Sequence, residues 1–162
     1  MSDLTTNLAR AEGYLARFRA DGVLNHINGM AVPAADGATF EVISPVDLQP
    51  LAQAARGKAA DVAAAAAAAK AAFPAWRTMP GDARKALLHE IADAIEARAE
   101  EIAFVEAMDT GQSIRFMAKA ALRGAENFRY FADLAPQAQD GQSLRTKGQV
   151  NMTTRTPIGP VG

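Results

Sequence analysis

The charged residue whose position is least expected in this chain is an aspartate at the end of a predicted helix. In the segment 106–111 (EAMDTG), the final glycine is typical of the residue that follows a helix. Asp109 then lies at the negative end of the helix dipole, where an exposed carboxylate costs roughly 0.3–1 kcal/mol. A nearby arginine, a backbone N–H or a bound cation would offset that cost. Otherwise Asp109 is simply a tolerated exposed carboxylate.

The second candidate is Arg123, at the border of the apolar stripe of the last predicted helix. That stripe, which we expect to face the core, consists of Met117, Ala121, Gly124, Phe128, Phe131 and Ala135. A guanidinium at such a border either forms a local salt bridge or presents its planar fork to an acidic ligand. The sequence leaves both alternatives open for Arg123.

The common catalytic and metal-binding patterns do not occur in these 162 residues. There is no cysteine, which excludes disulfides, thiolate metal sites and a cysteine nucleophile within them. His26 and His89 have no further ligand at metal-site spacing, and no G-x-G-x-x-G or Walker loop is present. The carboxylate pair Glu100-Glu101 is interpreted as part of a solvated helix surface.

Composition and charge exclude several classes of function. The net charge of −1 gives no electrostatic basis for binding nucleic acid or an anionic membrane. No stretch approaches the ~18 consecutive apolar residues of a membrane span. The first seven residues have neither a basic region nor an apolar one, so they do not resemble a secretory signal. We therefore expect a cytoplasmic protein with no membrane or nucleic-acid partner.

The first half of the chain predicts a helix, a hairpin and a pair of strands. The helix covers 3–20, and Asn28-Gly29 is typical of the type I′ turn of a hairpin. A strand over 40–44 is expected to pair with 51–55. A second helix covers 59–72, with Asp61 in its first turn, where the dipole favours a carboxylate. Its alanine-rich run suggests close packing, and 73–76 (FPAW) is expected to end it.

The second half predicts two long helices and a strand region. One helix begins near Pro80 and continues to about Met108. The other covers 114–135, with Ser113 as its N-cap and Pro136 after its end. A turn at Asp140-Gly141 then leads into a strand region over 143–156. The last residues restart an apolar strand, and an unpaired strand is costly, so we expect a longer protein to continue from here.

Taken together, these residues resemble the N-terminal part of the aldehyde dehydrogenase superfamily. No single segment is specific, but their order and spacing are. The segments that carry the resemblance are 27–29 (ING), 40–45 (FEVISP), 61–62 (DV), 71–76 (AAFPAW), 84–88 (RKALL), 93–96 (DAIE), 108–111 (MDTG), 127–133 (NFRYFAD) and 157–162 (PIGPVG).

The resemblance implies an α/β fold of which this chain carries the N-terminal helical layer and edge strands, cut before the Rossmann-type sheet. Residues 1–136 would belong to the cofactor domain, 137–157 to an oligomerisation arm, and 158–162 to the first strand of the cofactor-binding sheet. The implied reaction is NAD- or NADP-dependent oxidation of an aldehyde to a carboxylic acid through a cysteine thioester. The implied cysteine, glutamate and cofactor site all lie downstream, so we expect this chain alone to be inactive.

The resemblance also implies roles for residues within the chain. Many members of the superfamily hold a structural monovalent cation, for which Asp109 and the backbone carbonyl of Val42 or Ile43 would be ligands here. The segment 123–129 is similar to a helix of the muconic semialdehyde dehydrogenases, a group from the breakdown of aromatic acids. The strongest similarity is to the 5-carboxymethyl-2-hydroxymuconate semialdehyde dehydrogenases. In that group the arginine at the place of Arg123 meets a substrate carboxylate.

The implied partners are a small aldehyde and further copies of the chain, in a homo-oligomer that is a dimer or a tetramer. One alternative of another class is a non-catalytic interaction or scaffold module built around the helices of 80–135. Such a module would melt cooperatively as a single species. An incomplete dehydrogenase would instead associate through its uncovered strand edges and apolar helix faces.

Overall fold

Six α-helices form most of the structure. The structure is a computed structural model that describes residues 3–138 and 141–161. A short 3₁₀ turn at Ala135–Gln137 follows the last helix. The helices are α1 (Leu4–Asp21), α2 (Ala59–Thr78), α3 (Gly81–Ala97), α4 (Ala99–Thr110), α5 (Ile114–Met117) and α6 (Ala120–Leu134). No described helix is long and apolar enough to cross a membrane.

The described strands pair into three separate two-stranded antiparallel sheets. In chain order they are β1 (Asn25–Ile27), β2 (Met30–Val32), β3 (Thr39–Ile43), β4 (Pro50–Ala55), β5 (Ser143–Thr146) and β6 (Gln149–Met152). The predicted hairpin at Asn28-Gly29 is confirmed, because both residues have the positive φ that a type I′ turn requires. The predicted pairing of the next two strands is confirmed as well, with Val42 of β3 opposite Ala52 of β4.

The predicted helix end at 73–76 is wrong, since α2 continues through Pro74 to Thr78. Proline removes one helical hydrogen bond, which is costly where the freed carbonyl is buried. Here α2 is exposed over most of its length, so water can bind that carbonyl. The expected close packing of Ala63–Ala69 is not observed either, because these residues are exposed or half-buried.

The long helix predicted from Pro80 to Met108 is two helices that meet at Arg98. Arg98 leaves the helical conformation, with φ of −110° and ψ of 17°. Its guanidinium then binds the carboxylate of Glu101 at 2.9 Å, in the first turn of α4. Glu100 and Glu101 together place negative charge at the start of that helix, where its dipole favours it. The paired glutamates were thus a helix-start signal in the sequence.

The last predicted helix is also divided, into α5 and α6, and its buried face differs from the prediction. Ser113 does precede α5, although its side chain makes no capping bond. Met117, Ala121 and Ala135 are buried as expected. Phe128 and Phe131, in contrast, are 38% and 62% exposed, and a Cβ built on Gly124 would have no atom of another element within 4 Å.

Small side chains explain which face of α6 is turned inward. Its most deeply buried residues are Ala125 and Ala132, which allow α6 to pack closely against α3. At the junction of these helices a Cβ on Gly81 would lie 2.6 Å from the Cα of Pro136, so only glycine fits there. The two phenylalanines are too large for such an approach. They remain on the outside of the helix pair.

The strand region predicted for 143–156 is confirmed over 143–152 and not over 153–156. Strands β5 and β6 make a short hairpin there, closed by the Thr153 N–H, which donates to the Gln142 carbonyl at 2.8 Å. Residues 153–161 have no regular secondary structure. Asp140 of the predicted turn and Gly162 of the last segment lie outside the described residues. The division into a cofactor domain, an arm and the start of a sheet stays a prediction.

Candidate functional site

The C-terminal end of α4 is held beside the end of β3. Gly111 follows the helix in the left-handed conformation, with φ of 73°, and its N–H donates to the Ala107 carbonyl at 3.0 Å. This confirms the predicted helix end. A Cβ on Gly111 would lie 3.1 Å from Cγ of Pro45, which is two residues after the end of β3. This close approach brings the last turn of α4, which contains Asp109, to the strand.

A cavity of about 290 Å³ lies at this junction, between α1, α4 and the β3–β4 pair. Its described lining is apolar except for Asp109. Of the predicted cation ligands, Val42 and Asp109 both line the cavity, whereas Ile43 does not. Ile43 is 41% exposed, and a register shift separates it from Val42. The structure therefore brings Asp109 and the strand residue Val42 to one cavity and leaves Ile43 outside it.

Asp109 is exposed, and no other described side chain neutralises it. Within residues 3–138 and 141–161 its carboxylate forms no ion pair and accepts no backbone N–H. The same residues contain no group of three or more His, Asp or Glu side chains that could hold a metal. Of the three groups expected to offset the cost of this carboxylate, a nearby arginine and a backbone N–H are therefore not found among the described residues. A cation bound mainly by carbonyl oxygens and the tolerated exposed carboxylate remain as alternatives.

Arg123 is an exposed cation on the first turns of α6. Its backbone N–H donates to the Lys119 carbonyl at 3.1 Å, as in a regular helix. Its guanidinium forms no ion pair with any side chain in the described part of the chain. The local salt bridge, one of the two alternatives for Arg123, is thus not found there. A free guanidinium is available for an acidic ligand.

Arg129, less than two turns further along α6, shows the structural role that Arg123 lacks. Its Nη2 donates to Asp93 at 2.7 Å and to Glu96 at 2.6 Å, both on α3. The bond to Asp93 contributes most to raising the pKa of Arg129, followed by the bond to Glu96. Arg129 therefore helps to fix the orientation of α6. That orientation determines where Arg123 points.

His89 is not isolated, because the fold brings it to a carboxylate 44 residues away. Its Nε2 lies 3.1 Å from Oδ1 of Asp133, which also binds Nζ of Lys85 at 2.9 Å. The Lys85 contact, and then the His89 contact, hold the pKa of Asp133 below its usual range. Sequence spacing could not reveal this contact between α3 and α6. All three groups are partly or largely exposed, and the described residues bring no further ligand to them.

The glutamate pair of α4 is only partly the solvated surface that the sequence suggested. Glu100 binds Arg10 of α1 at 3.0 Å and is exposed. Glu101, with a side chain only 16% exposed, contacts both Arg98 and Arg17. The hydrogen bond from Arg98 is the main reason that the pKa of Glu101 is lowered. These contacts join α1 to α4 and so support one wall of the Asp109 cavity.

The start of α2 does not offer a pyrophosphate site. Strand β4 does lead through Gly57 into α2, an arrangement that can bind a pyrophosphate at the helix start. Here, however, the carboxylate of Asp61 occupies that start, accepting the Lys58 N–H at 2.8 Å. A phosphate would meet a like charge. The start of α2 is therefore a poor match for the pyrophosphate of NAD or NADP.

Comparison with known proteins places these observations in a family. Residues 32–162 match the model of the aldehyde dehydrogenase family. The chain is 36% identical over 138 residues to the NADP/NAD-dependent aldehyde dehydrogenase PuuC of Escherichia coli, covering 83% of this chain and 28% of that protein. It is also 36% identical over 146 residues to 2-hydroxymuconic semialdehyde dehydrogenase of a Pseudomonas strain, covering 86% of this chain and 30% of the relative.

The fold agrees with the sequence match. The crystal structure of HpcC from Thermus thermophilus superposes with a TM-score of 0.82 and 34% sequence identity, over 86% of this chain and 27% of that one. The chain thus spans less than a third of the length of these relatives. The expected fold class, a helical layer with small strand pairs of that fold, is confirmed. The chain belongs to the aldehyde dehydrogenase family.

Proposed function

We propose that, within a polypeptide of its relatives' length, this chain forms the N-terminal part of an NAD- or NADP-dependent dehydrogenase that oxidises an acidic semialdehyde to a carboxylic acid. The observation that carries the proposal is the exposed guanidinium of Arg123, which no described side chain neutralises. The similarity to a relative named for 2-hydroxymuconic semialdehyde supports it. Family membership favours this function over a non-catalytic interaction module.

The residues of this chain bind and position the substrate rather than perform the chemistry. Arg123 donates hydrogen bonds to a substrate carboxylate, and the Arg129 contacts with α3 keep α6 in place for it. A nicotinamide cofactor, when bound, would supply the hydride acceptor for the oxidation. A cysteine nucleophile and its base would have to be supplied by residues other than these 162, which contain no cysteine.

Within the semialdehydes, 5-carboxymethyl-2-hydroxymuconate semialdehyde is our specific proposal. Arg123 offers charge and a planar fork, which a carboxylate satisfies and a neutral aldehyde does not. A version of the protein extended to its relatives' length should therefore prefer an acidic semialdehyde to a neutral aldehyde of similar size, measured as kcat/KM from NADH or NADPH absorbance. Equal kcat/KM values for the two aldehydes would contradict the proposed substrate class.

We also propose that Asp109 and the Val42 carbonyl hold a structural monovalent cation at the α4–β3 junction. The support is their shared cavity and the unneutralised charge of Asp109. Carboxylate and carbonyl oxygens are the ligands that hard cations prefer. Ile43 stays a weaker alternative, because it does not line the cavity.

Adding Na⁺ or K⁺ should stabilise the chain through this site, by about 1 kcal/mol at four times the dissociation constant. Thermal unfolding in NaCl or KCl, compared with choline chloride at equal ionic strength, measures the effect. Asp109→Asn should abolish the difference between the salts. The cation site would be contradicted if unfolding in the two kinds of salt still differed in Asp109→Asn, or if it did not differ for the unaltered chain.

The β5–β6 hairpin fits the predicted oligomerisation arm over 137–157. Its two strands pair only with each other among the described residues, and Leu144, Val150 and Met152 are exposed on it. Such edges can add strands from another chain. We propose a dimer or tetramer on this basis. The cytoplasmic location expected from the sequence stays a prediction.

A further inference from the structure

Lys119 is a second exposed cation on the face of α6 that carries Arg123. The Arg123 N–H donates to the Lys119 carbonyl at 3.1 Å, which is the bond from residue i to residue i−4 of an α-helix. The two side chains therefore lie one turn apart on the same face, with Cβ atoms about 5–6 Å from each other. Lys119 thus carries a second positive charge beside the guanidinium that we propose to bind the substrate.

The charge of Lys119 has no local counterpart. Its ammonium group forms no ion pair with any side chain in residues 3–138 and 141–161. The first turn of α6 contains no acidic residue, and the N-cap position, which commonly holds an acceptor side chain, is Lys119 itself. The acidic residue nearest in sequence, Glu126, lies beyond Arg123 and pairs with neither cation. Both cations are therefore available to a ligand.

Two positive charges in this arrangement favour an anion at Lys119 as well as at Arg123. Charges of the same sign at positions i and i+4 of a helix repel each other. Lys119 also lies at the positive end of the α6 dipole, where a cation is unfavourable and an anion is favourable. A ligand with one carboxylate would neutralise Arg123 and leave Lys119 unpaired. A ligand with two carboxylates would neutralise both.

The surface beside the two cations is open to a ligand. Lys119 and Arg123 are both exposed, and the space next to Gly124 is free of atoms from other elements within 4 Å of a Cβ built there. Lysine carries its ammonium group on a flexible four-carbon stem, whereas the fork of arginine binds a carboxylate in a fixed plane. The flexible stem allows Lys119 to follow a second carboxylate while Arg123 holds the first.

We propose that Lys119 is a specificity-determining residue that binds a second carboxylate of the substrate. The site would then prefer a semialdehyde with two carboxylates to one with a single carboxylate. This inference rests on the function proposed for Arg123, which binds the first carboxylate. It distinguishes two compounds named above, because 5-carboxymethyl-2-hydroxymuconate semialdehyde carries two carboxylates and 2-hydroxymuconic semialdehyde carries one. Lys119 takes no part in the chemical step.

Lys119→Met, in the protein extended to its relatives' length, tests the second contact. Its kcat/KM for 5-carboxymethyl-2-hydroxymuconate semialdehyde should fall about tenfold or more, the scale of one hydrogen bond between charged groups. Its kcat/KM for 2-hydroxymuconic semialdehyde should stay the same. Lys119→Arg keeps the charge and should retain the preference for two carboxylates. Lys70→Met removes an exposed lysine of α2 and, as the matched control, should leave both values unchanged.

The two semialdehydes also separate this inference from the proposed function. If Lys119→Met lowers kcat/KM equally for both compounds, or for neither, Lys119 does not bind a second carboxylate, even where Arg123→Met lowers both values. If Arg123→Met leaves both values unchanged, the function proposed for Arg123 is wrong, and the second contact is wrong with it. Because Lys119 and Lys70 are exposed, their substitution should not change thermal unfolding, which checks that each variant is folded.

Discussion

Replacing Arg123 with methionine should lower kcat/KM for an acidic semialdehyde about 30- to 150-fold. The estimate assumes the loss of a charged hydrogen bond worth about 2–3 kcal/mol in the transition state, at tenfold per 1.36 kcal/mol. Methionine keeps an unbranched apolar stem like that of arginine but removes the charge. The measurement is steady-state formation of NADH or NADPH by the protein extended to its relatives' length.

The role of Arg123 is identified by which substrates lose kcat/KM in the Arg123→Met variant. A neutral aldehyde of similar size should be turned over equally well by the Arg123→Met variant and the parent protein. Arg145→Met serves as the control, since Arg145 is an exposed arginine of β5 and no substrate role is proposed for it. It should leave kcat/KM for both aldehydes unchanged. If Arg123→Met turns over the acidic semialdehyde as well as the parent does, Arg123 does not bind the substrate carboxylate.

Replacing Asp61 with alanine should destabilise the chain by about 2–3 kcal/mol, the largest single effect on stability that we expect. Asp61 is 8% exposed, and its two oxygens accept the N–H groups of Ala35 and Lys58, each at 2.8 Å. Alanine would leave both backbone donors without a partner. It would also detach the start of α2 from the loop between β2 and β3. For a domain of this size, the melting temperature should fall by roughly 5–10 °C.

Asp61→Asn tests how much one of the two hydrogen bonds contributes without the other. Asparagine retains one acceptor oxygen, so it should restore part of the lost stability. Asp36→Ala is a useful comparison, because Asp36 forms an exposed ion pair with Lys58 and such pairs contribute little. Chemical denaturation with circular dichroism measures all three variants. If Asp61→Ala is no less stable than Asp36→Ala, the buried carboxylate does not hold α2 in the way described.

Local chemistry made several elements predictable. The hairpin follows from Asn28-Gly29, since these residues tolerate the positive φ that its turn needs. The end of α4 follows from Gly111 for the same reason. Asp61 was predicted only as a favourable charge at a helix start. Its bond to the Ala35 N–H, 26 residues away, depends on tertiary structure and could not be read from the sequence.

The errors arose where tertiary packing or solvent exposure decided the outcome. Apolar spacing placed Phe128 and Phe131 in the core, yet the close approach of α3 admits only the alanines of α6. Pro74 did not end α2, because that helix is exposed to water. The break at Arg98 did have a signal, the two acidic residues that follow it in the first turn of α4.

For the candidate sites, too, local features were predictable from the sequence and tertiary contacts were not. Arg123 and Asp109 were found because their charges fit poorly with their local surroundings, and the structure leaves both without described partners. The contact of His89 with Asp133 and the contact of Glu101 with Arg17 join distant segments of the chain. No spacing rule within one element could have revealed either.

We propose that these residues bind the substrate and form part of the scaffold, whereas they contain no cysteine nucleophile for the oxidation. The most direct test is NADH formation by the purified 162-residue chain, supplied with NAD⁺ and 2-hydroxymuconic semialdehyde. The account predicts no NADH above the rate without protein, because the chain has no cysteine thiolate to attack the aldehyde. Turnover that rises in proportion to the concentration of the chain would contradict it.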